Sequence, residues 1–193
     1  MLKHLDLSDN TAVKGISPSL ISLNLAKNNI SIPFELPLTP CLVQVLNLSY
    51  NKIPYYHFKL FLRNIYFPNL KTLTLDRLQL NGHIPHIQQF IEQSLSLTSL
   101  SMVECDLSLD SFQHVANGVR FNRSLKWLDL SRNRVVYDKV AEMLSLMLQG
   151  GTVTHLKMRH CDIKDNLGSL IFTNIHKGRY IESIDMMNNL LGD

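Results

Sequence analysis

The chain has 193 residues, 45% of them hydrophobic and 18% charged, with a formal net charge of +3 from nineteen basic and sixteen acidic residues. That is enough apolar material for a sizeable core and too much for compositional disorder, while so weak a net charge is no electrostatic footprint for nucleic acid. No apolar run is long enough to cross a membrane, and three scattered cysteines argue against a disulfide framework and for a reducing, cytoplasmic setting.

The first stretch, MLKHLDLSDN, meets charge at once and does not read as a signal peptide. From Leu2 it follows a nine-residue template, L-x-x-L-x-L-x-x-N/C, in LKHLDLSDN. The template returns as LISLNLAKN from Leu20 and VQVLNLSYN from Val43. The connectors between these copies, TAVKGISPS and ISIPFELPLTPC, carry Gly and Pro and predict extended or turn segments, not helices. A helical pattern, HFKLFLRNIYF, then leads to LKTLTLDRL from Leu70, and IPHIQQFIEQSL leads to LTSLSMVEC from Leu97. In SLDSFQHVANGVRFN the apolar residues Phe112, Val115, Ala116 and Val119 recur at helical spacing, with Ser108 or Asp110 able to cap the start. LKWLDLSRN follows from Leu125, and then YDKVAEMLSLMLQGG, a helical pattern that stops at Gly150 and Gly151. VTHLKMRHC from Val153, the helical DNLGSLIFTNIHKG and IESIDMMNN from Ile181 complete the chain.

The start-to-start spacings of the eight copies are 18, 23, 27, 27, 28, 28 and 28 residues. In each copy the apolar residues at template positions 4 and 6 alternate with polar ones, the period-2 pattern of a half-buried strand. A unit of one strand and one helix cannot bury its apolar face alone, so neighbouring units must stack. The chain resembles the leucine-rich repeat superfamily, and its long repeats resemble the ribonuclease-inhibitor-like subtype. That resemblance implies an α/β solenoid spanning residues 1–193 as a single domain of about eight strands. Its parallel strands would lie on the concave side, with helices on the convex side of the later repeats. Neither end carries a polar cap, so the chain is expected to be part of a longer repeat protein.

Alternation and the geometry of the resembled family together point positions 1, 4, 6 and 9 into the core and positions 3, 5, 7 and 8 onto the concave surface or its rim. Position 9 holds Asn10, Asn28, Asn51, Leu78, Cys105, Asn133, Cys161 and Asn189. In the resembled family Asn or Cys at this position satisfies backbone groups where the strand turns away; an amide has both donor and acceptor, a thiol is weaker. Cys105 and Cys161 are two repeats apart, roughly 10 Å at sheet spacing, too far for a disulfide. Cys41 lies in a Pro-rich connector with no assigned role. Leu78 breaks the ladder, and Asn81 is the nearest residue that could compensate.

The concave columns supply the candidate site. The only tryptophan, Trp127, projects where core packing does not ask for it. Beside it gather Arg132, His155, Lys157, Arg159 and His160, with Asp129, Glu104, Arg77 and Tyr50 along the same surface. An exposed aromatic with neighbouring Arg has the composition of a binding hot spot. Opposite charge is present too, and Asp129 beside Lys157 forms an expected cross-strand pair that neutralises part of the patch.

Catalytic and cofactor chemistry finds no motif. There is no phosphate loop, no G-x-G-x-x-G, no H-E-x-x-H, no G-x-S-x-G and no C-x-x-C. The stretch VTHLKMRHCDI looks reactive, but Cys161 turns inward while His160 turns out. His155 and His160 are roughly 16 Å apart along an extended strand, too far to share a metal. Sequons occur at Asn47 and Asn122; the first is a by-product of the repeat and lies in a strand, so its glycosylation is not expected. Phe58, Phe61, Phe90 and Phe112 fall at core spacing. The expectation is therefore a protein-binding scaffold without catalysis, cofactor or metal, acting on a protein partner and neither on a membrane nor on nucleic acid. Relatives of the resembled family also include GTPase activators, actin-capping regulators and receptor sensor domains. A regulatory factor of that kind, or a pathogen effector working in host cytoplasm, is the alternative.

Overall fold

The structure, a computed structural model, describes residues 2–10, 17, 19–28, 30, 40–53, 58–59, 62, 67–80, 84–135, 138–175 and 180–192. Eight strands of three residues each form one open parallel sheet: β1 His4–Asp6, β2 Ser22–Asn24, β3 Val45–Asn47, β4 Thr72–Thr74, β5 Ser99–Ser101, β6 Trp127–Asp129, β7 His155–Lys157 and β8 Ser183–Asp185. Their order in the sheet is their order in the chain. Each strand occupies positions 3 to 5 of one template copy, and the register never slips. Leu5, Leu23, Leu46, Leu73, Leu100, Leu128, Leu156 and Ile184 are successive partners across the sheet. A slip of one residue would turn every buried leucine to solvent, so the alternation itself holds the register.

Among the described residues four helices cross between the later strands: α1 Ile84–Gln93, α2 Leu109–Phe121, α3 Lys139–Gly150 and α4 Asp165–Ile175. Each packs against the next. Of the helical pattern expected over 57–67, Phe58 and Lys59 are helical and the Leu62 N–H donates to the Phe58 carbonyl at 3.0 Å; the rest, Phe61 included, lies outside the described residues. So do most of the connectors between the first three strands, and Asn81.

One face of the sheet and the apolar sides of the helices share a single core, which includes Phe58, Phe90 and Phe112. The leucines at position 4 and the Leu or Met side chains at position 6 of the repeats that hold β2 to β7 are almost wholly buried, each stabilising the fold by about 1.5–3 kcal/mol relative to exposure. At the two ends Leu5 and Ile184 are only partly buried, having one neighbouring strand instead of two. The opposite face of the sheet carries no helix among the described residues, and its side chains are half-buried or exposed.

The helix ends follow from local chemistry. Ser108 caps α2, its hydroxyl accepting from the Ser111 N–H at 3.2 Å. α3 stops at the expected glycines, Gly150 and Gly151. Gly151 is extended, with φ −82°. A Cβ there would sit 2.8 Å from the Val119 carbonyl oxygen and 2.9 Å from that of Met147, so close backbone approach, not conformational freedom, demands glycine. Asn122 closes α2 and is wholly buried. Its amide donates to the Ile91 and Ser94 carbonyls and accepts from the Ser124 and Leu125 N–H groups, which removes it as a glycan acceptor.

Beyond the strands a ladder of position-9 side chains ties each repeat to its neighbours. Asn51 donates to the Leu25 and Leu48 carbonyls at 2.8 Å, and its oxygen accepts from the N–H groups of Asn28 and Ile30 at 3.0 and 3.1 Å. Asn133 and Asn189 repeat the pattern, accepting from Cys105 and Leu107 and from Cys161 and Ile163. Asn28 donates to Leu7 and Ala26, and Asn10, at the exposed end, to Leu7 and Ser8. The two thiols fill the donor half only: Cys105 reaches the Leu75 carbonyl at 3.2 Å and Cys161 the Leu130 carbonyl at 3.5 Å. Lacking an acceptor, Cys161 leaves the Val135 N–H to its own backbone carbonyl, 2.8 Å away. The residue after each, Asp106 or Asp162, takes a positive φ found at no other described position 10. Leu78 is buried without polar capacity, and a cleft of about 750 Å³ lined by Asn51, Ile53, Phe58, Leu78 and Cys105 opens beside it.

All three cysteines are buried and free. Burial pushes the Cys105 thiol up to about 12 and Cys161 up to about 11, so both stay protonated donors. No helix among the described residues is long and apolar enough to cross a membrane.

Candidate functional site

The helix-free face is built by the same repeat rules, and those rules decide which side chains are available. Position 8 of every repeat, three residues beyond the strand, is left-handed: Asp9, Lys27, Tyr50, Arg77, Glu104, Arg132, His160 and Asn188 all have φ between 53° and 60°. None is glycine. The shared conformation is held by the next repeat, as where the Arg132 N–H donates to the Arg159 carbonyl at 2.8 Å. It tips these side chains onto the rim.

Position 5 has a structural task that residue type alone did not reveal. Where it is Asp or Asn, its oxygen accepts the N–H two residues on: Asp6 from Ser8, Asn24 from Ala26, Asn47 from Ser49, Asp129 from Ser131, Asp185 from Met187. Thr74, Ser101 and Lys157 do not, and in those repeats the acceptor is position 7 of the preceding one. Ser49 accepts from the Asp76 N–H, Asp76 from Val103 and Ser131 from Arg159. The signal was in the sequence: each repeat without Asp or Asn at position 5 follows one with Ser or Asp at position 7. This corrects the assignment of position 7 to the display surface, since Ala26, Ser49 and Ser131 are buried in the turn.

The predicted site residues fall into three separate groups. Tyr50, Arg77 and Glu104 meet on the rim: Arg77 pairs with Glu104 at 2.7 Å, and Arg77 and Lys27 lie 5.0 and 5.6 Å from the Tyr50 ring centre. Arg159 and Asp185 form an ion pair between β7 and β8. Their hydrogen bond holds the Asp185 carboxyl below its ordinary range and the Arg159 guanidinium above its own. The third group is Trp127 with His155. Their rings stack with centres 3.7 Å apart and planes 13° from parallel, and the indole is 47% exposed. Thr154 fixes the imidazole through a 2.8 Å contact to Nδ1. Tyr50 is three strands from Trp127, roughly 14 Å at sheet spacing, so the first and third groups do not make one pocket.

The remaining predicted residues stand apart. Arg132 is exposed on the rim, and His160 shares a 3.2 Å hydrogen bond with Asn188. The expected Asp129–Lys157 pair does not form: the two are register partners, yet no ion pair joins them. The Asp129 turn bond holds its carboxylate toward Ser131 instead. The basic patch read from the sequence is thus partly cancelled, chiefly by Asp185. Among the described residues no three His, Cys, Asp or Glu side chains gather to hold a metal. No model of a known protein family matches the chain.

Proposed function

We propose that this chain is a leucine-rich repeat of the ribonuclease-inhibitor-like kind and a scaffold that grips a protein partner on its concave strand face, without catalysis of its own. The supporting observation is Trp127. It is the only tryptophan, it stands 47% exposed on the sixth of the eight strands of the helix-free face, and its ring is already stacked on His155. A large aromatic fixed before binding loses little entropy when a partner covers it, the usual setting of an interface hot spot. The strands around it place side chains at even sheet spacing, which suits an extended macromolecular surface better than a small molecule. Affinity capture from the native cell, comparing the wild-type chain with Trp127→Ala at equal fold stability, tests the reading. Partners retained equally by both proteins would refute it.

A further inference from the structure

The stack leaves one indole face uncovered. Because the Trp127 and His155 rings pile along the direction from β6 to β7, the other face of the indole turns toward β5. Its register partner there is Ser99, too short to cover it. Elsewhere the protein places a cation over three exposed rings, Lys27 and Arg77 over Tyr50, Arg120 over Phe121 and Lys126 over Tyr180, while the exposed Phe172 ring on α4 has none among the described residues. No cation lies over Trp127 among the described residues. Two residues along β6, roughly 7 Å away on the same face, stands the carboxylate of Asp129. Its Oδ1 accepts the Ser131 N–H; its Oδ2 has no hydrogen-bond or ion-pair partner among the described residues. At positions 3, 5 and 7 of the repeats that hold β4, β5 and β6 the only charges are Asp76 and Asp129, both negative; at position 8, on the rim, Arg77 pairs with Glu104 and Arg132 is exposed.

We infer that the bare face of Trp127, with Asp129 beside it and Ser99 as its floor, seats an arginine side chain of the partner protein. Resting on the binding role proposed above, this gives that role its chemistry. A guanidinium is planar, stacks on indole and offers N–H donors to a carboxylate at the same time, which an ammonium does less well. The free Oδ2 of Asp129 is the acceptor. A nucleic-acid base could also stack on the indole, but its phosphates would approach the Asp129 carboxylate, so the charge favours protein. Two cations oppose the seat: Lys157, the register partner of Asp129 on the far side, and Arg159, whose charge also reaches Asp129 although Asp185 pairs with it.

Trp127 is its own reporter, being the only tryptophan. The probes are oligo-arginine, oligo-lysine, oligo-glutamate and oligo-uridylate at constant ionic strength. Oligo-arginine is expected to change Trp127 fluorescence saturably and more strongly than oligo-lysine. Asp129→Asn should weaken it about fivefold, the size of one half-exposed ion pair, and Lys157→Ala should strengthen it. Asp129→Asn keeps the fold, because Asn24 and Asn47 make the same turn bond at the same template position. A silent oligo-arginine titration, an unchanged affinity in Asp129→Asn, or preference for oligo-uridylate or oligo-glutamate would each overturn the inference. If partner capture still depends on Trp127 in that case, the scaffold reading survives without it; if oligo-arginine binds while capture ignores Trp127, the scaffold reading is what fails.

Discussion

Replacing Asn133 by cysteine tests the ladder with a residue that the chain itself uses at the same template position. Asn133 is wholly buried and makes five hydrogen bonds. Its amide nitrogen donates to the carbonyls of Met102, Leu130 and Ser131 at 2.8, 2.9 and 3.3 Å. A thiol there would still donate, as Cys105 does to Leu75 at 3.2 Å. What it lacks is the oxygen that accepts from the Cys105 N–H at 2.9 Å and from the Leu107 N–H at 3.4 Å. Both donors are buried, and an unsatisfied buried N–H costs about 1–3 kcal/mol, the longer bond counting for less. Asn133→Cys is therefore expected to lose about 2–4 kcal/mol. In urea, with reductant present, the midpoint should fall by roughly 1–2 M at an unchanged slope. Trp127 fluorescence reports the transition from the same repeat. The control is Asn10→Cys. Asn10 is exposed and donates only to its own repeat, so that change should cost about 0.5 kcal/mol or less. Equal losses at the two positions, or an unmoved midpoint for Asn133→Cys, would show that donor capacity alone matters and that the acceptor argument is wrong.

Gly151→Ala forces a methyl to within 2.8 Å of the Val119 carbonyl oxygen, and a thermal melt should show a loss of about 1–3 kcal/mol. The Cys105 and Cys161 thiols, raised to about 12 and 11 from 9.0 by burial, should resist a thiol reagent at mild alkaline pH until urea is added. In the unfolded chain they ionise first, so their contribution is complete below pH 9.0 and is lost as pH rises toward 11 to 12; denaturant midpoints across that window check the sign. On the acid side Asp185 is depressed below 3.8 by its bond from Arg159, so that contribution is present above 3.8 and disappears as pH falls further. Asp185→Asn should abolish this part of the acid dependence in a pH titration of stability.

The eight strands were legible because their signal is local. Leucines at positions 4 and 6 against polar neighbours specify a half-buried strand wherever they occur, and a constant template forces a constant register. The ladder positions were legible for the same reason, since Asn and Cys recur at one place in each repeat. The availability of the charged side chains was not. Whether Asp129 pairs with Lys157 or serves the Ser131 N–H, whether Arg159 is free or held by Asp185, and whether Ser49 and Asp76 face outward or close a turn all depend on which neighbouring repeat lacks an acceptor. That choice is made between residues about 26 to 28 positions apart in sequence but adjacent in space, as with Arg159 and both Ser131 and Asp185. So the residue pattern by itself determined the strands, their order and the buried column. The tertiary structure decided which groups remain unpaired on the open face, because hydrogen bonds and ion pairs are allotted by distance across repeats and not by residue type. It is there that Trp127 keeps one bare face and Asp129 one free oxygen.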